Sequence, residues 1–303
     1  TACAIMWISL EYTYWIVAIL ILPAAGLLVR LFVLQHDCGH GSLFPSRRAN
    51  NLTGRLLSVL TFTPYDCWRK AHNLHHACSG HLDRRGVGGV DTLTVREYRA
   101  LSSANKLAYR LYRNPFVMIL FGAPYNSLIG QRFFANKGLP FNESYRSLPF
   151  KKVWKSVLSL NLALVLFYGT LGMLFGFKPL LVIVLPVVII ASWIGGWLFF
   201  IQHQFEEAYW EKNENWNFHD AAVLGSSHYV LPPLLQWFTG NIGLHHIHHL
   251  CAKIPNYRLQ ECLEGSPVLQ EMNRLNLGES LECACLALWD EDRRKMIAFS
   301  DVG

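Results

Sequence analysis

Charged residues are scarce in this chain. They make up 16% of its 303 residues, against about 25% in typical soluble domains. Hydrophobic residues account for 52%, and the mean hydropathy is +0.21. This composition excludes a disordered chain, a coiled coil and collagen. It indicates a few membrane spans joined to a substantial polar part.

The cysteine patterns of secreted scaffolds and zinc fingers are also missing. The eight cysteines include no CxxC pair, so we expect free thiols. No signal peptide is visible. Because the chain begins with Thr1, we interpret residues 1–303 as one domain from which an N-terminal fragment is missing.

Long uncharged stretches are present. Residues 12–29, 156–177 and 179–205 are each long enough for a transmembrane helix, which needs about 20 apolar residues. Lys178 alone separates the last two, so they predict a tight hairpin. Residues 1–9 are interpreted as the end of another span. We therefore expect an all-α integral membrane protein with four transmembrane helices in two hairpins, the first span truncated, and a cytosolic helical cap.

Another uncharged stretch, residues 114–131, contains Pro115, Gly122 and Pro124. These residues make a span improbable, and we expect an interfacial segment or a helical part of the cap.

Basic residues flank the two predicted hairpins. By the positive-inside rule they indicate that both hairpins enter from the cytoplasmic side. No basic stripe interleaved with aromatic residues occurs, so the net charge of +6 does not predict nucleic-acid binding. The flanking residues are Arg47, Arg48, Arg55, Arg69, Lys70, Arg84, Arg85, Lys151, Lys152 and Lys155.

Three short boxes hold histidines spaced three or four residues apart: HDCGH at 36–40, HNLHH at 72–76 and HHIHH at 245–249. On a helix such residues share a face, so each box can aim two or three imidazoles at one point. Together they exceed the coordination sphere of one metal, and two metals match the number. The expected ligands are His36, His40, His72, His75, His76, His245, His248 and His249.

His203 closes the last uncharged stretch, so a helix would carry it to the level of the first box. The remaining histidines are interpreted as structural or surface residues, because none completes such a pattern. They are His81, His219, His228 and His246.

The three boxes, in this order around two apolar hairpins, resemble those of the membrane fatty acid desaturases. Longer strings are similar to the bacterial acyl-lipid delta-12 (omega-6) desaturases, and the resemblance covers nearly the whole chain. The strings are LDRRG at 82–86, QHQFE at 202–206, GSS at 225–227, TGNIG at 239–243 and IPNY at 254–257. Departures at His81, His228 and Gly89 lie outside the boxes.

The resemblance implies two iron ions that use O2 and two electrons to place a cis double bond in a long acyl chain of a membrane lipid. It makes the eight box histidines iron ligands and His203 an additional one. Zinc is expected to replace iron in an overexpressed preparation, although redox-inert zinc cannot supply the oxidant. Polar groups should orient the imidazoles through hydrogen bonds; the candidates are Asp37, Glu206, Asp220 and Asn241.

No haem motif or iron–sulfur cysteine cluster is visible, so the electrons are expected from a separate ferredoxin-like or cytochrome b5-like protein. A basic face with Arg69, Lys70, Arg84 and Arg85 would dock an acidic carrier. Contact with lipid headgroups explains this face equally well.

Other functions remain open at this point. Hydroxylation or acetylenation of an acyl chain, or carotenoid ketolation, would use the same di-iron site. A histidine-rich metal transporter is a different class, but transporters place their ligands within the spans, near the bilayer midplane. The predicted boxes lie outside the spans. The double-bond position and the lipid head group are not determined.

Overall fold

We describe a computed structural model of the chain, which covers residues 1–85, 88–132 and 150–302. Gly86, the last residue of the string LDRRG, lies outside these ranges, and so do the side chains of Lys151 and Lys152. As far as His203, the described helices are α1 (Ala2–Ser9), α2 (Trp15–His40), α3 (Arg47–Thr61), α4 (Tyr65–Cys78), α5 (Val95–Ala100), α6 (Ser103–Tyr112), α7 (Ala123–Leu128), α8 (Phe150–Phe175) and α9 (Leu185–His203).

The second half of the chain adds shorter helices: α10 (Phe218–Leu224), α11 (Pro233–Phe238), α12 (His245–Leu250), α13 (Leu259–Glu264), α14 (Pro267–Glu271) and α15 (Leu277–Glu282). Two π-helical turns, Val117–Gly122 and Leu180–Val184, lead into α7 and α9. Single 3-10 turns cover Gly130–Arg132, Asn256–Arg258, Cys283–Cys285 and Phe299–Asp301.

Three helices are long and apolar enough to cross a membrane: Trp15–His40, Val153–Phe175 and Leu180–His203. Only four residues, 176–179, join the last two of these helices. The first of the four predicted spans, expected to be truncated, corresponds to the eight residues of α1, which extend about 12 Å. They pack through buried Met6 and Leu10 against α2 and the start of the last span.

The sequence predicts an all-α fold. The described residues are mostly helical, but they also contain five short strands. One sheet has the order β1-β4-β5, with β4 parallel to β1 and antiparallel to β5, and β2 pairs with β3 in parallel. The Asp290 carboxylate accepts the N–H groups of Asp292 and Arg293 at 3.0 Å, which closes the β4–β5 turn. The strands are β1 (Leu93–Thr94), β2 (His228–Tyr229), β3 (Arg274–Leu275), β4 (Leu286–Asp290) and β5 (Lys295–Ala298).

The broken stretch 114–131 forms short helices on the outside of the last span. The Trp193 indole N–H of α9 donates to the carbonyl of Leu120 at 3.1 Å, while the side chains of Phe116 and Phe121 are exposed. Apolar side chains that face away from the protein beside a spanning helix match the interfacial alternative.

Helix ends position the histidines. Gly41 stands directly after His40 with a φ of 65°, a left-handed conformation that ends helices and suits glycine. The last span ends at His203, because Gln204 has a non-helical backbone conformation, with a φ of −122° and a ψ of 72°. The ends of α2 and α9 therefore meet α4 and α12, which carry the second and third boxes.

Candidate metal centre

Nine histidines come together in two groups whose ligand nitrogens lie within 4.8 Å of one another. All are buried except His76, which is half-buried. Group 1 contains His36, His40, His72, His76 and His248, and group 2 contains His75, His203, His245 and His249. The structure thus brings together every histidine that the sequence proposed as a ligand, including isolated His203.

The division between the groups follows the helix period. Histidines four residues apart stay together, as His72 and His76 do in group 1 and His245 and His249 in group 2. The histidine three residues after the first histidine of the second or third box, His75 or His248, joins the opposite group. Both α4 and α12 therefore contribute to both groups.

The contacts between ring nitrogens within a group are short. In group 1 the Nε2 of His72 is 2.8 Å from that of His36 and 3.1 Å from that of His76. In group 2 the Nε2 of His203 is 2.9 Å from that of His75 and 3.1 Å from that of His245. One ring nitrogen has either one proton or one lone pair, so it cannot hydrogen-bond well to two others.

A metal explains this arrangement. Two nitrogens bound to one ion at about 2.1 Å each and at right angles lie about 3.0 Å apart. Within the described ranges, the buried Nε2 atoms of His40 and His249 have no hydrogen-bond partner, which is unusual for buried polar atoms. Imidazole suits zinc, copper, iron and nickel, so the donor set matches a transition metal in each group.

Burial keeps these imidazoles neutral. It lowers the pKa of all six box histidines on α4 and α12, and the neighbouring imidazoles lower these pKa values further. A neutral imidazole offers the lone pair that a metal requires. The six are His72, His75, His76, His245, His248 and His249.

Contacts outside the groups orient individual rings. The Nδ1 of His203 donates to the carbonyl oxygen of Gly225 at 3.1 Å, which leaves the lone pair on Nε2 facing group 2. The Trp68 indole stacks on the His72 ring at 4.7 Å. Gly225 belongs to the string GSS noted in the sequence, but the sequence did not predict that its carbonyl accepts a hydrogen bond from His203.

Of the four predicted orienting groups, Asp37 lies beside group 1, and Asn241 is linked to Asp37 through Asn256. The Asp37 carboxylate is buried, and one of its oxygens is 3.4 Å from the Nδ1 of His36. Its other oxygen accepts two hydrogen bonds from Asn256. The carbonyl of Asn256 accepts from the Asn241 amide at 3.0 Å. Asn256 was not predicted, although it stands in the string IPNY.

The other two are corrected. Glu206 is exposed and forms an ion pair with Lys295 at 2.6 Å, because the chain leaves the helix after His203 and turns outward. Asp220 is exposed in the first turn of α10, where its N–H is bound by Asn217. Neither carboxylate forms a hydrogen bond or an ion pair with a histidine of the two groups.

Comparison with known proteins identifies the family of this chain. A profile of the fatty acid desaturases matches residues 13–273. The chain belongs to the fatty acid desaturase family. A fatty acid desaturase of Bacillus subtilis is 43% identical over 293 residues, which cover 97% of this chain and 80% of that protein.

More distant relatives carry more specific names. An sn-1 acyl-lipid omega-3 desaturase (ferredoxin) of Synechocystis sp. is 29% identical, over 80% of this chain and 66% of that protein. An omega-3 fatty acid desaturase of the endoplasmic reticulum from Vigna radiata is 28% identical, over 85% of this chain and 67% of that protein. This chain is therefore an oxidoreductase of lipid metabolism, and its apolar helices indicate a membrane enzyme.

The remaining histidines of the desaturase lie outside both groups. His81 is buried, accepts the N–H of Asp83 at 3.2 Å and packs on the Trp216 ring. His246 lies 2.9 Å through its Nε2 from the carbonyl of Leu269 and stacks on His228. His219 is exposed. Their contacts match the structural or surface roles expected for them.

One of the four residues of the predicted basic docking face, Arg85, is not exposed. Arg85 is buried and pairs with Glu97, so its charge is not available to a partner. Arg69 donates to the Asn51 side chain at 2.6 Å, and Arg84 is exposed.

Proposed function

We propose that this desaturase introduces a cis double bond at the delta-12 (omega-6) position of a long acyl chain in a membrane lipid, using O2 and two electrons from a separate carrier protein. The observation that carries the proposal is the pair of buried histidine groups built on the same two helices, α4 and α12. Two sites that share two helices are held at a constant separation.

Each group would hold one iron ion, with the nine histidines as ligands. Iron supplies an oxidant strong enough for an unactivated C–H bond, which redox-inert zinc does not. The chain's own contribution is to hold neutral imidazoles in place and to keep water out. Phe199 lies beside His75 and His203, 5.4 and 5.6 Å from their rings, so it offers an apolar wall to an acyl chain beside group 2.

The partners and the orientation are part of the same proposal. We expect the active site on the cytoplasmic side, because basic residues such as Arg47 and Arg48 follow α2 directly. The electron donor would be a ferredoxin-like or cytochrome b5-like protein, and the ferredoxin in the name of the cyanobacterial relative favours the first.

Product analysis tests the reaction. The full-length gene is expressed in a host with simple lipids, and fatty acids are identified by mass spectrometry. Wild type should yield a new double bond, His40→Ala should yield none, and His219→Ala, which changes an exposed histidine outside both groups, should match wild type. A hydroxy or keto product instead of an alkene would overturn the proposal.

Omega-3 desaturation is a second candidate, because two of the relatives are named for it. Acyl chains of different lengths are fed to the host, and the position of the new double bond is measured from each end of the chain. A bond that stays twelve carbons from the carboxyl end supports delta-12 specificity. A bond that stays three carbons from the methyl end would replace it with omega-3.

A further inference from the structure

One face of α2 lies along the segment that carries the third box. Four positions of α2, three or four residues apart and hence on one side of the helix, contact residues between 237 and 256. The contacts in order along α2 are Arg30 to the carbonyl and ring of Trp237, Val33 to Gly240, Asp37 to Asn256, and the carbonyl of His40 to Lys253.

The contact at Asp37 is the most specific of these. One carboxylate oxygen, Oδ2, accepts both the backbone N–H and the side-chain amide of Asn256, each at 2.7 Å. Both residues are buried, with 1% and 2% of their surfaces exposed. Hydrogen bonds to a buried carboxylate are strong, and loss of either partner leaves polar atoms unsatisfied.

Asn256 extends this contact to the loop before α12. Its carbonyl accepts from the Asn241 side chain, and Asn241 has a φ of 57°. The neighbouring Gly240 has a φ of 55°, and a Cβ there would lie 2.9 Å from Val33. The loop is therefore pressed closely against α2 just before it enters the third box.

We infer that Asn256 and Asp37 are positioning residues for group 1, because their contact holds the box on α2 in register with His248 on α12. This inference rests on the proposed metal centre. Asp37 acts chiefly through Asn256 rather than through the His36 ring, which lies at the longer distance of 3.4 Å.

Group 2 does not depend on this contact. It takes no ligand from α2, and α9 has its own connections to the segments next to the third box. The Gln202 amide donates to the carbonyl of Ile242 at 2.9 Å, and the N–H of Ser227 donates to the carbonyl of Gln202 at 3.1 Å. Loss of the Asp37–Asn256 contact should therefore separate the behaviour of the two groups.

The test counts metal rather than product. Metal-free full-length protein in nanodiscs is titrated with Zn²⁺, and bound zinc is measured by mass spectrometry. Wild type should bind two ions per chain. In Asp37→Asn and in Asn256→Ala, one ion should bind as in wild type and the other at least about ten-fold more weakly, the usual effect of changing a group that orients a ligand.

Asn50→Ala is the matched control. Asn50 is a buried asparagine that bonds to Phe44 and Ser46 and touches neither group, so its folded fraction should bind two ions. Thermal unfolding of each variant gives that fraction. Equal weakening of both ions, or full binding of both in Asn256→Ala, would overturn the inference. A wild type that binds no zinc would instead refute the metal centre itself.

Discussion

At the scale of single residues, His203 shows how a candidate ligand can stand outside any histidine box. Its ring meets those of His75, His245 and His249, because it occupies the last position of a spanning helix. A buried imidazole without partners would cost about 1–3 kcal/mol. The carbonyl of Gly225 satisfies Nδ1, and a metal at Nε2 would remove the rest of this cost.

We expect His203→Ala to leave three imidazoles in group 2. Bound metal should fall from two ions towards one per chain, and desaturated product should fall at least about ten-fold, because a ligand is lost rather than a supporting contact. Metal analysis and fatty acid profiles of the same membranes measure both. Exposed His219→Ala is the control, and a variant that keeps both metals and its turnover would show that eight ligands suffice.

At the scale of helices and strands, the second box depends on close packing between α3 and α4. Gly54 of α3 faces the Tyr65 ring so closely that a Cβ would overlap it. The Tyr65 hydroxyl donates to the carbonyl of Cys38 at 2.7 Å. One glycine therefore allows α2, α3 and α4 to meet at a single tyrosine.

Gly54→Ala should destabilise the protein by about 1–3 kcal/mol, the usual cost of overpacking. Thermal unfolding in detergent measures the effect. Gly169→Ala is the comparison, because a Cβ at Gly169 of α8 meets no other atom within 4 Å and alanine favours helix. Equal unfolding temperatures for the two variants would show that Tyr65 can move without cost.

Arg113 joins the end of the last span to the C-terminal sheet. Its buried guanidinium donates to the Gln204 side chain at 2.6 Å and to the carbonyl of Leu286 at 2.8 Å. Arg113→Leu should leave the Leu286 carbonyl without this donor and the Gln204 oxygen with only the 3.3 Å bond from Thr92. At about 1–3 kcal/mol for each affected acceptor, the unfolding temperature should fall clearly. Arg293→Leu removes an exposed ion pair with Asp290 worth at most about 1 kcal/mol. A similar loss in both would contradict the role of Arg113.

At the scale of the whole molecule, the histidines of the two groups come from four separate parts of the chain. These are the C-terminal ends of α2 and α9, and the helices α4 and α12. Bound metal would therefore act as a cross-link between distant segments, and its binding free energy would add to folding stability. Without metal, the same buried histidines should make the protein sensitive to acid.

The metal-free protein should lose stability as the pH falls below about 6.5. The pKa values of the six box histidines on α4 and α12 are lowered in the folded state from the ordinary 6.5. In this range the unfolded chain takes up protons that the folded chain does not, so folding becomes less favourable. Unfolding temperatures of metal-free protein at pH 7.5 and 5.5 test this; an unchanged or higher value at pH 5.5 would contradict it.

The sequence by itself determined the features that depend on local periodicity. Uncharged runs long enough for a bilayer located the three long helices, and histidines four residues apart located pairs that share a helix face. The pairing of His36 with His40 and of His72 with His76 needs only one turn of helix. The place of His203 followed from the end of an apolar run.

The tertiary structure alone decided which residues meet across the chain. His75 and His248 join the groups opposite to their neighbours because of the way α4 and α12 approach each other. Glu206 was misplaced because sequence spacing does not show that the chain turns outward after α9. Asn256 was missed because its partner, Asp37, is 219 positions away. Long-range contacts of this kind depend on how helices pack, and no local pattern of residues encodes that packing.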